Sequence, residues 1–161
     1  MGEFAYQPSL CAPDAEGRRQ VWGTDGEPFA ARPLTTFSGA LPTSLSAWGS
    51  GVIFHTFGSS GEIWRLADSE AVPELVARLD KLIGEMVVSG DRVFVTAFDL
   101  EVGRELWVVD GPDQRVIDIF PGGGSSELRN LTPIPGGIFF SADDGSGQGF
   151  EPWISAGTAE T

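Results

Sequence analysis

The 161 residues carry 23 acids against 10 Lys and Arg, and the resulting net charge of −13 argues against nucleic acid and anionic membrane surfaces, which need clustered cations. No apolar run approaches the roughly 18 residues of a membrane span, so no membrane insertion is expected. Twenty-two Gly, eleven Pro and eleven Phe argue against a helical protein and for strands, because aromatic and β-branched side chains pack well on a pleated surface.

The chain opens Met1-Gly2-Glu3-Phe4, with an early acid and no apolar core, so no signal peptide is expected there. Gly2-Glu3-Phe4-Ala5 reads as a first copy of a Phe-type strand. Cys11 is the only cysteine and excludes an intramolecular disulfide. Trp22, Trp64, Trp107 and Trp153 then recur every 42 to 46 residues, each preceded at two positions by an acid or amide: Gln20, Glu62, Glu105 and Glu151. Between them a second landmark returns after a Gly-containing turn, as Gly51-Val52-Ile53-Phe54, Arg92-Val93-Phe94-Val95 and Gly137-Ile138-Phe139-Phe140. Two landmarks in a fixed order define repeat units at about 1–37, 38–79, 80–120 and 121–161 of a single domain.

Each unit reads as four short strands. A weak one (Leu45–Trp48, Met86–Ser89, Leu131–Ile134) precedes the Phe-type and Trp-type strands, and a fourth follows (Arg32–Phe37, Pro73–Leu79, Arg115–Phe120). Short strands at this spacing, one period per four strands, predict an all-β fold of propeller-type, four-stranded antiparallel blades. Pro73 to Ile83 has apolar residues at helical spacing and reads locally as a helix, but its alignment with Arg115–Phe120 favours a strand.

The strings Arg104-Glu105-Leu106-Trp107-Val108-Val109-Asp110-Gly111 and Phe150-Glu151-Pro152-Trp153-Ile154-Ser155-Ala156-Gly157-Thr158 resemble the ELWxxDGT repeat of large, often exported, bacterial proteins of propeller-like build. Phe139-Phe140-Ser141-Ala142-Asp143-Asp144-Gly145 resembles the strand and turn that lead into that motif. Pro112 stands where the family has Thr, Ala156 where it has Asp, Glu27 follows Asp25-Gly26, and Ala67-Asp68 replaces Asp-Gly after Trp64. The resemblance implies a repeat scaffold, usually a binding one, and an extracellular or cell-surface setting. It implies no reaction.

One Trp per repeat fits a structural role between blades. Trp48, outside the series, is the candidate exposed aromatic. Asp25-Gly26 and Asp110-Gly111 are tight-turn signals, since Gly tolerates positive φ and Asp bonds nearby amides. The recurrent acid before each Trp caps backbone or pairs with an Arg such as Arg104. Asp143-Asp144-Gly145-Ser146-Gly147-Gln148-Gly149 combines carboxylates with free carbonyls in the manner of a Ca²⁺ loop, so Asp143 and Asp144 are the candidate metal ligands. A hairpin loop is the alternative.

Catalytic signals are thin. His55 has no second His for a metal pair, and Gly122-Gly123-Gly124-Ser125-Ser126 lacks the Lys of a phosphate loop. The expectation is therefore a non-catalytic scaffold or binding module without a cofactor, engaging protein or glycan through loops or a mouth. Homo-oligomers through the terminal strands are a further expectation. The alternatives are a Ca²⁺-stabilised adhesion segment and a carbohydrate hydrolase with paired carboxylates.

Overall fold

Runs of branched and aromatic residues are punctuated by Gly, Asp and Pro along the whole chain, and the backbone follows that punctuation. The computed structural model describes residues 11–24, 27, 30–57, 61–111 and 113–158, and their regular structure is entirely β-strand. The chain divides into two compact units between Asp80 and Lys81. In the first, β1 (Cys11–Pro13), β2 (Arg19–Gly23) and β3 (Arg32–Pro33) form one sheet. A second is formed by β4 (Leu41–Trp48), β5 (Gly51–Phe57), β6 (Glu62–Leu66) and β7 (Glu74–Arg78). In the second unit β8 (Leu82–Ser89), β9 (Arg92–Asp99), β10 (Gly103–Asp110) and β11 (Asp113–Ile117) form one sheet, and β12 (Arg129–Ile134), β13 (Gly137–Asp143) and β14 (Phe150–Ser155) the other.

All four sheets are antiparallel meanders, one per sequence repeat, as propeller-type blades require. The strands that carry the serial tryptophans are β2, β6, β10 and β14, and the fourth strands are β3, β7 and β11. Pro73 to Ile83 is not helical: β7 pairs Ile63 with Ala77 and Trp64 with Leu75, and Asp80, at φ +55°, turns the chain into β8. In the first blade the strand paired to β2 is Cys11–Pro13, while the expected strand at Gly2–Ala5 lies outside the described residues.

Side chains alternate across each strand, so Glu105, Trp107 and Val109 share one face of β10, and Leu106 and Val108 the other. Within the second unit, the Trp face of the last blade packs on the opposite face of the blade before it. Phe94, Leu106 and Val108 meet Ile138, Phe140 and Ala142, with Trp153 against them. The first unit repeats the arrangement with Val21 against Phe54 and Leu66, Trp64 and Phe37 closing the cluster. Each such fully buried aliphatic or aromatic side chain contributes about 1.5–3 kcal/mol of burial.

The strands opening the second, third and fourth blades begin two to four residues earlier than the weak-strand pattern indicates, and each carries a β-bulge. Register shifts fall between Thr43 and Ser46, Ile83 and Met86, and Arg129 and Thr132. In all three, two residues oppose one partner: Phe54, Thr96 and Phe140. Ser44 and Asn130 take positive φ there, as one residue of a bulge commonly does. Gly84 fills the third site because an added Cβ would lie 2.6 Å from the Thr96 hydroxyl.

Candidate functional site

The acid or amide two residues before the Trp shares a face of the strand with it, and its neighbours decide what it does. Glu105 is completely buried. Its Oε1 accepts the Ser126 N–H at 2.9 Å, and its Oε2 accepts the Ile119 N–H at 2.9 Å and the Ser126 hydroxyl at 2.8 Å. One carboxylate thus anchors both ends of the crossover between third and fourth blades. Burial raises its pKa, and these hydrogen bonds only partly offset that.

Gln20 does the same work in the first blade without a charge. Its Oε1 accepts the Phe37 N–H and the Thr35 hydroxyl, each at 2.9 Å, and its Nε2 donates to the Phe37 carbonyl at 2.9 Å. The other two copies diverge. Glu62 pairs with Arg78 on the neighbouring strand and accepts the Trp64 indole N–H at 3.2 Å, and Glu151 is half-buried. Capping of backbone is therefore the role in two copies and ion pairing in a third, while Arg104 sends its own N–H to the Ser125 hydroxyl at 2.9 Å.

The glycines of the crossover are there to let it pass. Gly103 has φ +75°, and a Cβ on it would stand 1.8 Å from the Gly124 carbonyl oxygen. A Cβ on Gly124 would enter the Phe120 ring at 2.2 Å. The Gly122–Ser126 stretch is the packed backbone that Glu105 holds.

Neighbouring blades within a unit are also joined by arginines. Arg115 donates from Nε to the Gly157 carbonyl at 2.7 Å and makes a second contact to the same oxygen from Nη2. Arg92 Nη1 donates to the Ala156 carbonyl at 2.8 Å. In the first unit Arg32 Nη2 donates to the Ser69 carbonyl at 3.0 Å and pairs with Glu70. The register makes Arg32 and Arg115 equivalent, since they sit opposite Gly23 and Val108, the residues that follow Trp22 and Trp107. The corresponding position in the second blade, opposite Arg65, is Glu74, which binds that arginine. None of these arginine contacts was anticipated from the sequence.

The four serial tryptophans are all half-buried. Trp64 meets Phe37 edge to face with centroids 5.3 Å apart, and Trp107 lies under the Lys81 ammonium at 4.4 Å, which in turn pairs with Asp99 at 2.9 Å. Trp48 is half-buried as well, with the Arg65 guanidinium 5.7 Å above its ring. Asp110 opens the tight turn that the sequence predicts, pairing with Asp113 around Gly111 at φ +61°, and it accepts Arg92 Nε at 3.2 Å. Asp25 and Gly26 lie outside the described residues.

The candidate metal ligands hold their own loop. Asp143 Oδ1 accepts the Gly145 N–H and Asp144 Oδ1 the Ser146 N–H, both at 2.8 Å. Hydrogen bonding to Ser146 lowers the Asp144 pKa. Among the described residues, no group of three or more His, Cys, Asp or Glu gathers in a way that would hold a metal ion. His55 is buried beside the Thr43 hydroxyl, with Oγ1 3.2 Å from Nε2. Cys11 is half-buried, and that burial raises its pKa, disfavouring a reactive thiolate.

Together these features define an all-β repeat protein of propeller-type blades. A scan against protein-family models finds no match, and a search of curated proteins finds none either.

Proposed function

We propose that the chain is a non-catalytic repeat scaffold or binding module of the ELWxxDGT type, presenting inter-strand loops to protein or glycan. The observation that carries this reading is the commitment of Glu105, the most deeply buried acid among the described residues, to three hydrogen bonds within the crossover it anchors. A general acid or nucleophile needs a carboxyl facing substrate, and this one faces backbone. Gln20 at the equivalent position supports the reading further, since an amide serves the anchoring role and would not serve acid catalysis.

The exposed stretch from Gly145 to Gln148 is the surface offered for recognition, its backbone braced by the Asp144 and Ser146 side chains. Braced loops on a rigid sheet are a common way to present a binding surface. A panel of oligosaccharides and polysaccharides, followed for both retention and turnover, tests the proposal. Retention without turnover, lost when the 144–148 loop is shortened, is the expected result. Hydrolysis that vanishes with a single acid-to-amide substitution would replace the proposal with a glycosidase.

A further inference from the structure

We propose that the row Leu82, Phe98 and Arg104 on the third blade docks a peptide segment in which an acidic side chain stands beside an apolar one. The register builds the row. Leu82 pairs with Phe98 and Phe98 with Arg104, so the three lie side by side across β8, β9 and β10 on one face of the sheet. Further along the same strands that face is closed. Thr96 and Leu106 are buried, and Phe94 and Val108 pack against Ile138, Phe140 and Ala142 of the fourth blade. The row itself stays in water: Leu82 is 46% and Phe98 38% exposed, and Leu100, in the turn joining β9 to β10, is 92% exposed. Neighbouring apolar side chains left open at the edge of a filled core mark an interaction surface.

The arginine decides what the surface takes. Among the described residues Arg104 belongs to no ion pair, in a chain with 23 acids against 10 Lys and Arg. Its guanidinium reaches across the sheet, with Nη1 3.2 Å from where a Cβ on Gly84 would stand, so that glycine leaves the room this side chain fills. A planar guanidinium half-shielded by apolar groups takes a carboxylate through two parallel hydrogen bonds. The two leucines and the Phe98 ring then offer aliphatic and aromatic contact to the side chains next to that acid. Such flanks suit a peptide rather than the polar rim of a sugar. The inference rests on the reading of the chain as a binding module and narrows its partner to protein, at a place separate from the 145–148 stretch.

The test is an array of short immobilised peptides, each with Glu or Asp between Leu, Ile or Phe, alongside Gln, Asn and Lys counterparts, probed with the full chain. Acid-bearing peptides are expected to be retained about tenfold more strongly than their amide counterparts, as one charge-assisted contact implies. Arg104→Gln is expected to abolish that preference. Leu100→Asp, at a fully solvated position, keeps the fold and is expected to weaken retention by setting a like charge beside the incoming acid. Val72→Asp, 84% exposed outside the sheets, is expected to bind as wild type. Circular-dichroism melts of all three check folding independently of binding. Equal retention of acid and amide peptides overturns the proposal, as does an acid preference kept in Arg104→Gln. Retention of a polyuronate that Arg104→Gln abolishes, with no peptide retained, would assign the row to an acidic glycan and overturns the peptide occupant. Retention of no peptide also overturns it, while the oligosaccharide panel decides the binding-module reading separately.

Discussion

Glu105 receives both the backbone N–H and the hydroxyl of Ser126, at 2.9 and 2.8 Å, and so fixes with one side chain the residue at which the chain passes between blades. Replacing Glu105 by Leu strands the Ile119 N–H, whereas the Ser126 N–H and hydroxyl keep the Arg104 carbonyl at 3.1 and 3.2 Å. The expected loss is about 1–3 kcal/mol, the cost of one stranded group. Urea unfolding followed by Trp fluorescence measures it, and a loss below about 1 kcal/mol would show that water replaces the carboxylate.

The same residue predicts a pH slope. Burial raises its folded-state pKa above the unfolded value, so in that window the folded chain binds more protons than the unfolded one. Its contribution to stability is fully present below the unfolded pKa and falls as pH rises through the folded pKa. The difference in stability between wild type and Glu105→Gln is therefore expected to shrink as pH rises through that window. A flat difference would remove the shift, and a growing one would reverse its sign.

Two glycines with left-handed backbones separate conformational strain from crowding. Gly111, at φ +61°, has open space where a Cβ would go, and Gly111→Ala is expected to cost about 1–2 kcal/mol. Gly103, at φ +75°, has the Gly124 carbonyl at 1.8 Å from that position, so Gly103→Ala adds a backbone displacement to the same strain. Thermal melts are expected to rank Gly103→Ala well below Gly111→Ala.

Arg115 holds Gly157 with a fork to one carbonyl, a charge-assisted contact of about 1.5–3 kcal/mol. Arg115→Ala is expected to lose that amount, and Arg115→Lys to recover only part of it, because an ammonium cannot reproduce the planar fork. Hydrogen exchange in β14 gives the local readout: its protection is expected to fall before that of β9.

Calcium is expected to leave the melting temperature unchanged, since Asp143 and Asp144 each give Oδ1 to an amide of their own loop. A rise in millimolar calcium that a chelator reverses would restore those two residues as ligands.

The blades were legible because strand chemistry is written in side chains. Trp at a near-constant period, Val-Phe alternation and Gly-Asp turns carry the pleat and its ends. The Pro73–Ile83 stretch misleads because its apolar spacing suits a helix, and only pairing with β6 settles it. The bulges left no such mark: Ser44, Gly84 and Asn130 share position but not type. Arg32 and Arg115 were missed for a related reason. Their acceptors are backbone carbonyls, which every residue owns, so no partner residue announces them.

Glu74 occupies the place that Arg32 and Arg115 hold, and its charge changes what that place does. From the first and third blades the arginine reaches a backbone carbonyl of the next blade, whereas Glu74 binds Arg65 on the neighbouring strand of its own blade. One strand position thus serves as a strut between sheets or as a brace within a sheet, according to the sign of its charge.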